Sequence, residues 1–201
     1  MTASLSPSTS SVSSYLSPTI ATIDLSALAH NLTELRQSLD LRCAILAIVK
    51  SDGYGHGSTA VAEALAKLGI TKFGVSTIQE GATLREAGLQ ETIIVLGGIF
   101  PWQIKDLLHY QLTPVISDIG IAQQLARELS PQHMPFPVHV KVDTGMRRLG
   151  FEPASLSEFL TSDLFQGPLL LKSLMTHLAD ADNPDPSFTI QQLTEFKSIA
   201  H

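Results

Sequence analysis

Six short apolar runs dominate this chain: "CAILAIV" (43–49), "KFGVS" (72–76), "TIIVLG" (92–97), "LTPVIS" (112–117), "FPVHVKV" (136–142) and "LLLKSLMTH" (169–177). Helical patterns lie between them. Strands alternating with helices of this length predict βαβ units and a parallel sheet. The runs are apolar on both faces, as a sheet covered on both sides requires. Two architectures satisfy this pattern: an open doubly wound sheet, or a (β/α)8 barrel of which about six units are present. Periodicity alone does not choose between them.

The helices carry their own boundary signals. Thr77 and Glu80 form a capping box, and Gly88 closes that helix. Pro101 suits a first helical turn, and Asp118 caps "DIGIAQQLAREL". A last helix runs from about Ser187 to the chain end. Ahead of the repeat, "TIATIDL" (19–25) alternates like a half-buried strand. It leads into a helix with Leu28, Leu32, Leu35 and Leu39 at helical spacing and Ser26 as N-cap.

Of 201 residues, 44% are hydrophobic and 16% charged, which is ample for one core. Residues 1–18, rich in Ser and Pro, read as a disordered arm without the apolar segment of a signal peptide. Residues 19–201 read as the folded part. Net charge is −6 with no basic cluster, so nucleic acid is not an expected partner. No apolar stretch approaches the ~20 residues of a membrane span. Cys43 is the single cysteine, so no internal disulfide forms and a reducing cytoplasm is expected. Its place in an apolar run predicts an inert small hydrophobe.

Lys50 ends the first run, and "SDGYGHG" follows it. The C-terminal ends of parallel strands are where α/β active sites form. A desolvated lysine there can attack a carbonyl and form a Schiff base. Tyr54 and His56 offer donors, and a helix N-terminus near Ser58 favours an anion such as phosphate. Amine and phosphate site together point to pyridoxal phosphate. The plainer alternative is a solvated strand end followed by a turn.

Two further strand ends carry polar groups. Alternation places His139, Lys141 and Asp143 on one face and Val138, Val140 and Val142 on the other, toward the helices. Arg147 and Arg148 follow, as a clamp for a carboxylate or phenolate, or as a local ion pair with Asp143. His177 ends the sixth run.

Three blocks, "AIVKSDGYGHG", "VHVKVDTGMRRLGF" and "LMTHLADAD", closely resemble, in order and spacing, the signature blocks of the alanine racemases. The resemblance runs from about Thr19 to the last residue. It implies the N-terminal portion of a fold-type-III pyridoxal-phosphate enzyme: a (β/α)8 TIM-type barrel, incomplete here, with the C-terminal β domain absent. It implies that Lys50 holds pyridoxal 5′-phosphate as a Schiff base and acts as the base on one face of the substrate. Tyr54 would contact the phosphate. Lys141 matches a lysine often carbamylated, which would orient Arg148. Arg148 would hold the substrate carboxylate and the cofactor phenolic oxygen. His177 would sit beside the pyridine ring. The implied reaction is interconversion of L- and D-alanine, supplying D-alanine for peptidoglycan, in the cytoplasm. The partner is a small amino acid, with a homodimer expected for a full-length relative. The opposing base comes from the absent domain, so weak activity or none is expected of this chain alone. The rival implication is a single-domain pyridoxal-phosphate-binding protein on the same barrel.

Overall fold

A computed structural model of the chain describes residues 21–200. The expected arm lies outside the described residues, as does the start of "TIATIDL". Within it, residues 21–24 form no strand. The chain instead enters helix α1 (Leu25–Ser38) directly, capped by Asp24 rather than Ser26. The Asp24 carboxylate accepts from the backbone N–H of Ser26 (2.8 Å) and Ala27 (3.2 Å). It also accepts from the Ser26 hydroxyl at 2.6 Å. A carboxylate is the stronger acceptor for these two amides, so the helix starts two residues earlier.

Six strands follow: β1 (Ala47–Ile48), β2 (Lys72–Val75), β3 (Thr92–Val95), β4 (Thr113–Ile116), β5 (Phe136–Lys141) and β6 (Leu169–Met175). All pair in parallel, in the order β1-β2-β3-β4-β5-β6. A doubly wound sheet reverses its strand order at a switch point, whereas a barrel wall adds each strand beside the last. The sheet is therefore six consecutive staves of a TIM-type barrel, with β1 and β6 at its two edges.

The first run falls short of the expected strand. Only Ala47 and Ile48 pair, and Cys43 is exposed outside β1 rather than packed. A turn at Leu41 and Arg42 swings the chain outward before pairing begins, and Leu41 is fully exposed.

The helices fill the crossovers. They are α2 (Lys50–Gly55, one turn), α3 (Ser58–Lys67), α4 (Ile78–Glu86), α5 (Ile104–His109), α6 (Ile119–Glu128), α7 (Pro153–Leu160) and α8 (Ser187–Ala200). The capping box at Thr77 and Glu80 forms as read from the sequence. Gly88, at φ +95, ends α4: its N–H donates to Arg85 O and that of Leu89 to Leu84 O. That pair of bonds is a Schellman motif, which needs a left-handed residue at this position.

The core lies between sheet and helices. Val138, Val140 and Val142 are wholly buried, facing Leu156, Phe159 and Phe151, with the Phe151 and Phe159 rings stacked at 4.3 Å. Each such side chain contributes about 1.5–3 kcal/mol by leaving water. The opposite face of β5 carries His139 and Lys141, as alternation requires. A register shift at Val138/His139 sets His139 opposite Ser173, whose hydroxyl lies 2.7 Å from the ring Nδ1.

Burial, then Lys72 and Lys172 nearby, hold His139 below the ordinary histidine value of 6.5. His177 is lowered too, by burial first, then Lys141, Arg148 and Lys50. The unfolded chain thus binds more protons than the folded one between these lowered values and 6.5. Stability rises with pH through that window and is lost as pH falls through it. The melting temperature is expected to fall as pH drops below about 6.5. His139→Gln, which keeps a bond to Ser173, should flatten part of that slope. An unchanged slope in the variant would remove His139 from the account.

Candidate active site at the strand ends

The parallel sheet brings the C-terminal ends of β1, β5 and β6 to one edge. Lys50 follows β1 there, Asp143 to Arg148 follow β5, and His177 follows β6.

The segment after Lys50 has an uncommon backbone. Ser51, Asp52, Gly53 and Tyr54 all lie in the left-handed helical region, with φ between 51 and 61°. Three of the four are not glycine. The left-handed helix costs an L-residue about 1–2 kcal/mol each, so this turn persists only where its surroundings enforce it. Three contacts do so. Gly53 N donates to Val49 O at 2.9 Å. Asp52 Oδ1 accepts from Ser58 N at 2.7 Å. Glu80 Oε1 accepts from Ser51 N at 2.7 Å. The turn stands the Lys50 ammonium over the Tyr54 ring, 5.7 Å from its centre.

At the N-terminus of α3, where the sequence places an anion such as phosphate, the Asp52 carboxylate takes the Ser58 amide alone, and Gly57 gives no side-chain cap. His56 is spent locally, with Nδ1 at 3.1 Å from the carbonyls of Gly53 and Tyr54. The Tyr54 side chain is largely exposed.

Asp143 resolves the second ambiguity. It makes no ion pair with either arginine. Its Oδ1 accepts from the backbone of Gly145 (2.8 Å) and Arg147 (3.0 Å), and its Oδ2 from Arg148 N (3.2 Å). Burial alone would raise this carboxyl, but the backbone donors of Arg147, Gly145, Arg148 and Met146 together hold it below the usual range. Asp143 thus folds the loop and leaves the guanidinium of Arg148 unpaired. Among the described residues the ion pairs are Arg42–Asp40 and Lys67–Glu63, both exposed and remote from this edge.

Lys141 is buried. Burial first, then the positive charge of Arg148 and of Lys50, lower its proton affinity against the opposing pull of Asp143. His177 feels the same three cations. Lys50, Lys141, Arg148 and His177 therefore sit within electrostatic reach of one another at the strand ends. A site of this charge attracts an anionic ligand. This donor set fits a ligand that carries phosphate, phenolate or carboxylate groups and an aldehyde for an amine. Pyridoxal phosphate meets that description.

Sequence reasoning missed two residues here. Gln192, on α8, is wholly buried and joins two of the loops. Its Nε2 donates to His177 O (3.0 Å) and Thr144 Oγ1 (3.2 Å), and its Oε1 accepts from Ala179 N (2.9 Å). Thr144 and Thr176 hydroxyls complete the link at 2.8 Å. A glutamine inside an apolar helical pattern was its only signal. The second is Glu80, legible as a helix cap but not as a contact of the lysine loop.

A separate groove of about 600 Å³ runs between α1 and β1, lined by Leu28, Leu32, Ile45 and Val49. It reaches Tyr54 but not Lys141, Arg148 or His177, so it is not the centre of the cationic cluster. No helix among the described residues is long and apolar enough to cross a membrane.

Fold and site together define a TIM-type barrel protein built around a lysine at the end of its first strand. Comparison with known proteins then gives the family. The profile of the alanine racemase N-terminal domain matches residues 23–201, and the chain belongs to that family. It is 38% identical over 182 residues to the alanine racemase of Halothermothrix orenii, covering 90% of this chain and 48% of that protein. The crystal structure of alanine racemase from E. faecalis superposes with a TM-score of 0.80 at 32% identity, covering 88% of this chain and 48% of that one. A histidine racemase from Leuconostoc mesenteroides superposes equally well, with a TM-score of 0.80 at 28% identity, over 88% and 48% of the two chains. The chain thus spans about half the length of the curated relatives it matches.

Proposed function

We propose that this chain supplies the lysine-bearing half of a pyridoxal-phosphate-dependent amino-acid racemase, with alanine as substrate. The observation that carries the reading is the convergence of Lys50, Lys141, Arg148 and His177 on one strand edge without a carboxylate partner. Family membership and alanine racemase relatives support it.

In this reading Lys50 would hold the cofactor and would take or return the substrate α-proton on its own face. Tyr54 contacts the phosphate. Arg148, kept unpaired by the Asp143 cradle, binds the substrate carboxylate and the phenolic oxygen. Lys141 would be the carbamylated lysine: burial lowers its proton affinity, which favours the reaction, and its carbamate would turn toward Arg148. His177 lies beside the ring. The bound cofactor supplies an electron sink for the carbanion left by α-proton removal. Racemisation also needs a proton on the opposite face, and we assign that group to a part of the protein outside these 201 residues, in a homodimer. The chain alone is then weakly active or inactive. Alanine is preferred to histidine as substrate because curated relatives at 38–40% identity are alanine racemases.

Borohydride reduction in the presence of pyridoxal phosphate, followed by peptide mapping, tests the reading. The expected result is one reduction-stable label on Lys50, absent from Lys50→Ala. Labels scattered over several lysines would overturn it.

A further inference from the structure

We infer that Glu80 is a positioning residue for Lys50: its carboxylate clamps the peptide plane on which the lysine side chain is rooted. The inference rests on the role proposed above for Lys50. Glu80 does more than its capping box requires. Oε2 accepts from Ser76 N at 2.6 Å and Thr77 N at 3.2 Å, which completes the start of α4. Oε1 reaches across to Ser51 N at 2.7 Å, 29 residues away in the chain. One carboxylate thus ties the end of β2 to the end of β1.

The bond falls at a decisive place. The N–H of Ser51 belongs to the same planar unit as the Cα and carbonyl of Lys50. Holding that N–H restricts the tilt of the plane, and so limits how far the Cα that carries the Lys50 side chain can shift. Ser51 is also the first residue of the left-handed turn, at φ 51°. Without that acceptor the exposed Ser51 amide would turn to water, and the left-handed turn would lose one of the three contacts that hold it. The acceptor is ionised and short, the stronger kind of hydrogen bond. A lysine that must meet a carbonyl at bonding distance tolerates little displacement at its root.

Two variants separate this role from ordinary helix capping. Glu80→Ala removes the cap contact and the Ser51 clamp together. Thr77→Ala removes the other half of the capping box and leaves the clamp intact. The first readout is the rate of borohydride-trapped labelling of Lys50 by pyridoxal phosphate. It should fall by at least about tenfold in Glu80→Ala and stay within about twofold in Thr77→Ala. The second is hydrogen exchange at the amides of Ser51 to Tyr54, measured without cofactor. It should accelerate by about tenfold or more in Glu80→Ala alone. Equal effects of the two variants, or unchanged exchange in Glu80→Ala, would overturn the inference. If the parent chain labels scattered lysines, the proposed function fails, and the exchange measurement still decides what Glu80 holds.

Discussion

Gly150→Ala is expected to lower stability by roughly 3–5 kcal/mol, a fall of about 10 °C in melting temperature for a chain of this size. Gly150 has φ +139, a conformation that L-residues rarely adopt. A Cβ built there lies 2.6 Å from Asp143 N and 2.9 Å from Val142 C. Both neighbours are backbone, and they are held: Asp143 N donates to Phe151 O at 2.9 Å, and Phe151 N to Lys141 O at 2.8 Å. No side-chain rotation relieves the clash. Relief requires opening those two bonds, which shifts the Asp143 cradle and Arg148 with it. The effect should reach the site as well as the fold. A thermal melt by circular dichroism gives the first, and the rate of Lys50 labelling by pyridoxal phosphate gives the second. A melting temperature within about 2 °C of the parent would show that this loop adapts more freely than its hydrogen bonds indicate.

Gln192→Leu should cost roughly 2–4 kcal/mol despite an almost unchanged side-chain volume. The leucine fits the space but leaves the part-buried Ala179 N and His177 O without their partners. Each orphaned group carries a penalty at the lower end of about 1–3 kcal/mol. The loop bearing His177 is expected to loosen and admit water. Because burial is the main reason His177 is held low, its titration should move up toward the ordinary value of 6.5. An NMR titration of the ring follows this directly. A stable variant with an unmoved His177 would show that Gln192 only fills space.

Much of this architecture was legible in the residues. The apolar runs from Lys72 onward became β2 to β6, because continuous apolar stretches have few alternatives to a sheet buried on both faces. The Thr77–Glu80 box and the Asp118 cap were local, and local chemistry decides them. The alternation of His139 and Lys141 against Val138, Val140 and Val142 predicted which side of β5 faces the helices. The failures were also local readings, each overruled by a neighbour. Asp24 took the cap from Ser26 because its carboxylate binds two amides. Cys43 fell outside β1 because the turn at Leu41 delays pairing.

What the sequence determined alone was therefore the βα rhythm, the identity of the polar strand-end residues and the motif blocks that mark the family. These depend on composition and short-range spacing. Periodicity did not separate barrel wall from doubly wound sheet; the motif blocks implied the barrel, and the tertiary structure established it through strand order, a long-range property that periodicity does not encode. It also decided how the site is held. Glu80 reaches Ser51 across 29 residues, and Gln192 reaches Thr144 across 48. Such bonds form where folding brings distant backbone into hydrogen-bond range, and the residues that make them look ordinary in the chain.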